Sequence, residues 1–215
     1  MYFWKNLTAM ESPRKRRYTE EEYLAMECAS EFKHEFVDGQ MYPWGHPDML
    51  GMYDVQAMSG ASLPHNIITS NATYSLGGKL RGKGCRAFGS DMRVYIPLTG
   101  TYLYPDTLVV CGKPEIQQSG KLDLLLNPVV IVEVLSDSTA DYDRSGKFMR
   151  YRSIESVRDY LLIDSRSIRA ELYSRIETGQ WTLTEILDSA GVVTLGSVNV
   201  TLSMAELYED VTLDS

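Results

Sequence analysis

The feature that constrains this chain most is an almost uninterrupted apolar run, VVIVEVL, at residues 129–135. A strand that lacks alternation of polar and apolar residues usually has both faces covered by other parts of the protein. The run therefore predicts a strand inside a sheet that carries further layers on both sides. Its one charged residue is Glu133, and an ionised carboxylate in such a place is costly unless a positive group meets it. We therefore expect Glu133 to face a positive group.

Composition limits the classes of protein that this chain can belong to. It has 215 residues, a net charge of −8 and 44% hydrophobic residues, which argues against a broad basic surface for nucleic acid but allows a local groove. No apolar run reaches the length of a membrane span, and the first residues lack a signal-peptide pattern, so we expect a cytoplasmic protein without membrane contact. The three cysteines, Cys28, Cys85 and Cys111, are far apart and odd in number. This favours buried free thiols over a disulfide framework or a zinc site.

Local patterns predict the order of elements. We expect residues 1–18 to be an N-terminal extension and residues 19–215 to form one domain. A capping box at Thr19–Glu22 predicts a short helix, and Asp38-Gly39 between extended segments predicts a hairpin. The following segments are predicted as a helix at about 64–80, strands CRAFGSDMRVYIP, YLYPDTLVVC and PVVIVEVLS, a helix at about 141–154, strand DYLLID, and antiparallel strands near the C-terminus. This order predicts an α/β or α+β sandwich around a central sheet.

Two acidic residues, Asp106 and Glu133, interrupt neighbouring predicted strands. Side chains on paired strands lie within about 5 Å of each other, so the two carboxylates converge if these strands pair. Pro105 cannot donate to a ladder and favours an irregularity just before Asp106. Bare carboxylates in an apolar setting repel each other, whereas Mg²⁺ or Mn²⁺ favours both anionic forms. The alternative is that either carboxylate caps a turn or pairs with an arginine such as Arg93.

Lys147 is the candidate cationic residue near this pair. Its spacing from Tyr151 and Ile154 on the predicted helix places it on or near the inward face, where lysine is uncommon. There the ammonium could orient an attacking water or stabilise charge on a phosphate. In the alternative interpretation, the aliphatic part of Lys147 packs while the ammonium reaches solvent.

Several segments in combination resemble the PD-(D/E)XK nuclease superfamily, and more closely its Uma-type branch, which is common in cyanobacteria. They are YPDTLVV, VVIVEVLSDSTADYDRSGKFMRYRSI, DYLLID, HEFVDG, MSGASLPHNII, FGSDMRVYI and LSMAELY. The resemblance covers nearly the whole chain from about residue 18 onward. It implies a restriction-endonuclease-like αβββαβ core with a mixed central sheet, an N-terminal helix and hairpin, and C-terminal antiparallel strands.

The resemblance also implies an activity and the residues that carry it. It implies a Mg²⁺- or Mn²⁺-dependent endonuclease that hydrolyses DNA, and by analogy a homodimer. Asp106 matches the aspartate of the PD motif and Glu133 its second acidic residue, so both are implied metal ligands, with the Val134 carbonyl as a third. Lys147 matches a motif lysine that has moved to the following helix.

Two further positions, Glu35 and His65, stand where the branch commonly has Glu and His. Glu35 is implied as a further metal or water ligand. His65, near a helix start, is implied as a contact to phosphate or to the site. The alternative for His65 is a structural histidine with its hydrogen bonds satisfied inside the protein.

The chain departs from the family pattern at two places. Leu135 stands where the motif has its lysine, and residues 43–56 have the character of an insertion. A catalytically inactive DNA- or protein-binding module is therefore the alternative function, and a hydrolase of small phosphate esters is a third. Six basic residues are candidate substrate contacts: Lys79, Arg81, Lys83, Arg86, Arg144 and Arg150.

Overall fold

The computed structural model describes residues 16–44, 61–137 and 139–213. The helices are α1 (Glu20–Ala29), α2 (Leu63–Lys79), α3 (Ala140–Tyr142), α4 (Phe148–Tyr151) and α5 (Met204–Leu207). A π-helical turn (Asp143–Lys147) joins α3 to α4, and a 3₁₀ turn occupies Gly196–Val198. The expected insertion at 43–56 and the N-terminal extension lie almost entirely outside the described residues. In the described part, no helix combines the length and the apolar character that crossing a membrane requires.

The strands form two six-stranded sheets and one hairpin. The strands are β1 (His34–Val37), β2 (Gln40–Pro43), β3 (Cys85–Gly89), β4 (Arg93–Ile96), β5 (Thr101–Leu103), β6 (Thr107–Cys111), β7 (Ile116–Ser119), β8 (Leu122–Leu125), β9 (Val130–Leu135), β10 (Asp159–Asp164), β11 (Ala170–Glu177), β12 (Gln180–Ile186), β13 (Val192–Leu195) and β14 (Val200–Ser203). The order β12-β11-β10-β9-β6-β3 makes the core sheet, and β2-β1-β5-β4-β8-β7 makes the outer sheet. Strands β13 and β14 pair separately.

The core sheet contains the expected αβββαβ arrangement. In chain order, α2 is followed by β3, β6 and β9, then by the α3–α4 helical segment and β10. Strands β9 and β10 are parallel, whereas the remaining pairs of this sheet are antiparallel. The sheet is therefore mixed, and the predicted fold class is confirmed.

The central strand β9 is buried at all six positions because both faces of the core sheet are covered. Its residues Val130, Val132 and Val134 pack in one cluster with the apolar side of α2. Ile131 and Leu135 pack in a second cluster, which includes residues of the outer sheet and of α4. Glu133 alternates with Ile131 and Leu135, so its side chain points to the side of the sheet that carries the outer sheet and α4.

Local signals in the N-terminal part produce the predicted elements. The Thr19 side chain accepts a hydrogen bond from the Glu22 N–H, and the Glu22 carboxylate accepts one from the Thr19 N–H. Asp38 and Gly39, with φ of 51° and 77°, form the tight turn between β1 and β2. Both central residues of this turn need positive φ, which is why Asp-Gly favours it.

Two segments that the sequence predicts as continuous strands are each divided between the two sheets. CRAFGSDMRVYIP contributes β3 to the core sheet and β4 to the outer sheet, and YLYPDTLVVC contributes β5 to the outer sheet and β6 to the core sheet. The prediction of single strands is wrong because apolar alternation looks the same in either sheet. The second division positions the candidate site.

The prediction of buried free thiols is also wrong. Cys85 on β3 lies directly opposite Cys111 on β6, and the two form a disulfide, whereas Cys28 is exposed. The pairing depends on the antiparallel register of strands that are 26 residues apart. Nothing in the spacing of the cysteines encodes this register.

The disulfide leads to a thiol-counting prediction. The denatured but unreduced protein should react with a thiol reagent at Cys28 alone, whereas the reduced protein should react at three cysteines. Reduction should also lower the free energy of unfolding by roughly 2–4 kcal/mol, because it frees a long loop in the unfolded chain. A Cys28→Ser variant is the control, since it should show no reactive thiol before reduction. Three reactive thiols in unreduced protein would contradict the bond.

Candidate active site

The segment at residues 104–106 carries the chain from the outer sheet into the core sheet. Because it belongs to neither ladder, side chains take part in holding its backbone. The Tyr104 N–H donates to Glu35 Oε1 over 3.1 Å. The Asp106 carboxylate accepts a hydrogen bond from the Val134 N–H over 2.7 Å, which anchors it to β9. Asp106 therefore lies at a strand irregularity, as the preceding proline predicts.

Asp106 directly precedes β6, and Glu133 lies on its partner strand β9. Strands β6 and β9 are antiparallel, with Thr107 opposite Val132. Asp106 and Glu133 are therefore the residues that flank the last pair of this ladder. Both side chains are buried, with relative exposures of 7% and 2%. The pairing on which the predicted convergence of the two acids depends is therefore present.

Lys147 supplies the positive group that the environment of Glu133 requires. Its ammonium lies 3.1 Å from Glu133 Oε1, 3.2 Å from Asp143 Oδ1 and 3.6 Å from Glu35 Oε1. The lysine itself is buried, so the alternative in which its ammonium reaches solvent is wrong. One ammonium thus faces three buried carboxylates, which we call the acid–lysine cluster (Glu35, Glu133, Asp143 and Lys147).

The acid–lysine cluster leaves two carboxylate oxygens without a hydrogen bond. Glu133 Oε1 and Asp143 Oδ1 are buried and receive none from the described residues. Their short distances to Lys147 are charge contacts that lack hydrogen-bond alignment. Buried polar atoms are usually hydrogen-bonded, so these two oxygens have unused capacity to bind a donor or a cation.

The π-helical turn places Lys147 in the cluster. It interrupts the predicted helix at about 141–154, which continues as α4, and it ends at Lys147. A Cβ at Gly146 would lie 2.5 Å from ring atoms of Tyr142, so any larger residue here would have to displace that ring. The Tyr160 hydroxyl donates to the Asp143 carbonyl over 2.8 Å and fixes the start of the turn. Such turns occur often at functional sites.

Asp143 is the member of the cluster that the sequence interpretation missed. It precedes Lys147 by four residues, a spacing that brings side chains together on a helix. That spacing was the available signal. It is weak because acid–lysine pairs four residues apart are common on exposed helix faces.

His65 lies beside Asp106 rather than in the acid–lysine cluster. It occupies the first turn of α2, where its N–H donates to the Ser62 hydroxyl. Its Nε2 lies 3.4 Å from Asp106 Oδ2, and its Nδ1 is buried with no hydrogen-bond partner in the described part of the chain. Within the described residues, one ring nitrogen of His65 therefore has a partner and the other has none.

Arg93 belongs to a separate buried network that supports Tyr104. Its guanidinium donates to Glu27 Oε1 over 2.9 Å, and the Tyr104 hydroxyl donates to the same oxygen over 2.7 Å. His34 Nδ1 lies 2.9 Å from Glu27 Oε2, and Trp44 Nε1 donates to the Tyr104 carbonyl over 3.0 Å. The alternative in which Arg93 pairs with Asp106 or Glu133 is wrong, because Arg93 forms its ion pair with Glu27.

Burial and mutual repulsion set the protonation of the cluster. Burial, with repulsion from nearby carboxylates, raises the pKa of Glu133 well above its usual range despite the opposing charge of Lys147. Burial likewise raises the pKa of Glu35. Burial opposes the charge of Lys147, but the surrounding carboxylates prevail and its pKa is raised well above the usual range. For His65, burial is outweighed by Asp106 and the pKa is raised. Glu133 and Glu35 therefore bind protons more tightly than exposed glutamates do, and Lys147 keeps its positive charge.

A family model described as "Uma2: Putative restriction endonuclease" matches residues 54–205. The chain belongs to the Uma2 family. The match includes His65, Asp106, Glu133 and Lys147, whereas Glu35 lies before it. The predicted recognition of this family is confirmed.

Two relatives of this Uma2 chain come from Synechocystis sp. and are described only as uncharacterized proteins. One, sll1609, is 34% identical over 169 residues, which are 79% of this chain and 87% of the relative. The other, slr1290, is 35% identical over 163 residues, which are 76% of this chain and 77% of the relative.

A crystal structure from Anabaena variabilis, described as a putative nuclease belonging to DUF820, superposes with a TM-score of 0.67. It covers 88% of this chain and 97% of its own, at 16% identity. At this identity the match shows that the Uma2 chain shares its fold.

Four of the six basic residues predicted to contact substrate are engaged by the protein itself. Lys79 lies 2.5 Å from Glu206, and Lys83 donates to the Asn199 carbonyl. Arg144 pairs with Glu171 and Arg150 with Asp38. The other two, Arg81 and Arg86, line a cleft beside the end of α2 and β3.

Proposed function

We propose that this Uma2 protein is a Mg²⁺- or Mn²⁺-dependent endonuclease that hydrolyses DNA phosphodiester bonds. The observation that carries the proposal is the position of Asp106 and Glu133 at the end of the β6–β9 ladder, next to a buried lysine. Family membership supports nuclease chemistry. Lys147 lies 3.1 Å from Glu133 and thus supplies the ammonium that Leu135 cannot. The departure from the family motif at Leu135 therefore does not favour an inactive protein.

The donor set fits a divalent cation of the magnesium type. Four buried carboxylates, Glu35, Asp106, Glu133 and Asp143, face one ammonium and one histidine, and two of their oxygens lack a hydrogen bond within the described structure. Hard oxygen ligands of this kind suit Mg²⁺ and Mn²⁺. No three His, Cys, Asp or Glu side chains in the described ranges converge closely enough to hold a metal by themselves. Asp106 and Glu133 would therefore hold the ion together with non-side-chain ligands, for which we propose the Val134 carbonyl, water and substrate phosphate.

Each residue of the site has its own role in the proposed catalysis. A bound divalent cation lowers the pKa of water and polarises the phosphate. Lys147 offsets negative charge on the phosphate, and Asp143 holds its ammonium in place. Glu35 fixes both Lys147 and the Tyr104 N–H, so it links the lysine to the segment that carries Asp106. His65 lies at the edge of the site, where it can contact a phosphate oxygen.

The proposal is tested by titrating Mg²⁺ and Mn²⁺ in a calorimeter and by following plasmid nicking. The variant is Asp106→Asn, whose amide oxygen can still accept the Val134 N–H. We expect the wild type to bind the ion and to nick DNA. The variant should bind at least about tenfold more weakly and cleave roughly 10²–10³-fold more slowly, because a charged ligand of the ion that polarises the reacting phosphate is lost.

Asp123→Asn is the matched control, since Asp123 is exposed on β8 and its carboxylate accepts a hydrogen bond from the Gln118 side chain. It should behave as the wild type. Equal cleavage by Asp106→Asn and the wild type would refute the role of Asp106. DNA binding without metal binding or cleavage would assign the chain to the alternative, a catalytically inactive binding module.

A further inference from the structure

A cleft of ≈ 550 Å³ lies next to the C-terminal end of α4, on the side of the core sheet that carries the acid–lysine cluster. Its lining brings together three arginines, Arg152, Arg158 and Arg175, with Trp181 and a single acidic residue, Glu155. We call it the arginine cleft. A concentration of arginines stands out in a chain with a net charge of −8.

Arg175 is the fixed part of the arginine cleft. Its guanidinium donates to the carbonyls of Val157, Arg152 and Ile154 over 2.8, 2.7 and 3.0 Å. It also stacks on Trp181, with 4.6 Å from the guanidinium carbon to the ring centre. These contacts tie the turn after α4 to β11 and β12. Burial, with the nearby charge of Arg158, lowers the pKa of Arg175.

Arg152 and Arg158 are the available part of the cleft. Both are exposed, and in the described ranges neither guanidinium forms a salt bridge or a hydrogen bond with another residue, although that of Arg152 lies 5.9 Å from the centre of the Phe148 ring. The arginines Arg144, Arg150 and Arg166 all have carboxylate partners. Two unpaired guanidinium groups beside a third positive charge repel one another, and an anion would relieve that repulsion. Guanidinium donors match the oxygens of phosphate bidentately.

The position of the arginine cleft relates it to the candidate site. Arg152 directly follows α4 and is five residues beyond Lys147, a rise of roughly 8 Å along a helix. This corresponds to about two steps of a nucleic-acid strand at ~3.4 Å each. Lys147 points inward and Arg152 outward, so a DNA strand that contacts both would pass around the C-terminal end of α4.

We propose that Arg152 and Arg158 bind the phosphodiester backbone of DNA beside the reacting phosphate, with Arg175 and Trp181 as the scaffold. This inference rests on the proposed function and adds a substrate-docking surface that the sequence interpretation did not include. Phosphate contacts of this kind position the substrate without reading its sequence.

The test is the double variant Arg152→Gln/Arg158→Gln, measured by fluorescence anisotropy with labelled duplex DNA in the presence of chelator. We expect about tenfold weaker binding, and a log–log salt dependence that is less steep by roughly 2, because each lost phosphate contact removes about 0.9 from the slope. In parallel plasmid assays with Mn²⁺, KM should rise while kcat changes little.

Lys113→Gln/Lys121→Gln is the matched control, because it removes the same charge from exposed positions flanking β7. It should change DNA affinity less than about twofold. If the cleft variant matches this control while the wild type cleaves DNA, the cleft proposal is wrong and the proposed function stands. A wild type that neither binds nor cleaves DNA overturns both. Unchanged DNA affinity with weaker binding of polyglutamate would instead assign the cleft to an acidic peptide.

Discussion

Replacing Lys147 by methionine is expected to lower the free energy of unfolding by about 3–5 kcal/mol at pH 8, the cost of leaving buried charges without their partner. Methionine preserves the apolar length of the side chain but removes the ammonium that lies within 3.1–3.6 Å of Glu133, Asp143 and Glu35. Three buried carboxylates would then face one another. They could relieve their repulsion only by binding protons, by distorting the fold or by recruiting a cation.

The loss of stability in Lys147→Met should depend on pH, and the pKa shifts of the cluster give the direction of that dependence. Burial raises the pKa values of Glu133 and Glu35 in the folded protein, and the positive charge of Lys147 limits this increase. A carboxyl group whose pKa is raised on folding binds protons more tightly when folded, so it costs stability as the pH rises above its unfolded pKa. Without the ammonium this cost grows. The difference between wild type and Lys147→Met should therefore be larger at pH 8 than at pH 5.

Denaturant unfolding at the two pH values measures the effect. Lys113→Met is the control, because Lys113 is exposed and its loss should change stability by no more than about 0.5 kcal/mol. A Lys147→Met protein that is as stable as the wild type would show that the acid–lysine cluster does not exist as described. An equal loss at both pH values would indicate a packing defect rather than unpaired charge.

The second large effect is expected from Glu133→Gln, and it should act on stability and activity in opposite directions. Glutamine keeps the shape of the side chain but removes a carboxylate whose pKa burial raises well above the usual range. At pH 8, without divalent cation, we expect the free energy of unfolding to rise by about 1–2 kcal/mol, as for other substitutions that relieve a costly active site. Cleavage should fall by about 10³-fold, because several kcal/mol of electrostatic stabilisation are lost.

Thermal unfolding with and without Mn²⁺ separates the two effects. The cation should raise the Tm of the wild type by binding the folded state, and should not raise that of Glu133→Gln. Glu177→Gln, at an exposed position on β11, should behave as the wild type in both assays. A less stable Glu133→Gln protein would mean that Glu133 chiefly supports Lys147. Undiminished cleavage would remove Glu133 from the site.

These two variants probe residues that the sequence identifies to different degrees. Side-chain direction alternates along a strand, so the sequence places Glu133 on the same face as Ile131 and Leu135, and these two residues pack toward the outer sheet and α4. Lys147 was predicted on an inward face from helical spacing. The inward direction of its side chain is confirmed, although a π-helical turn interrupts the predicted helix. Helical spacing thus predicts the inward face correctly despite the π-helical turn, because apolar neighbours such as Tyr151 are buried on the same side.

Other features could not be predicted because they depend on how distant segments meet. The bond between Cys85 and Cys111 requires the register of β3 with β6. The pairing of Arg93 with Glu27, rather than with Asp106 or Glu133, requires α1 to lie against the outer sheet. The arginine cleft joins the end of α4 to β11 and β12. From the sequence alone, each of these residues could have paired with many other residues.

The sequence by itself determined the type of most elements, the membership of the Uma2 family and the face of β9 that Glu133 shares with Ile131 and Leu135. Only the tertiary structure decided that this face meets Lys147, Asp143 and Glu35 at once. The physical reason is that periodicity records whether a side chain is inside or outside, which is a local property. The partner of a buried charge depends on sheet order and on the crossover at residues 104–106, which bring together segments that are distant along the chain.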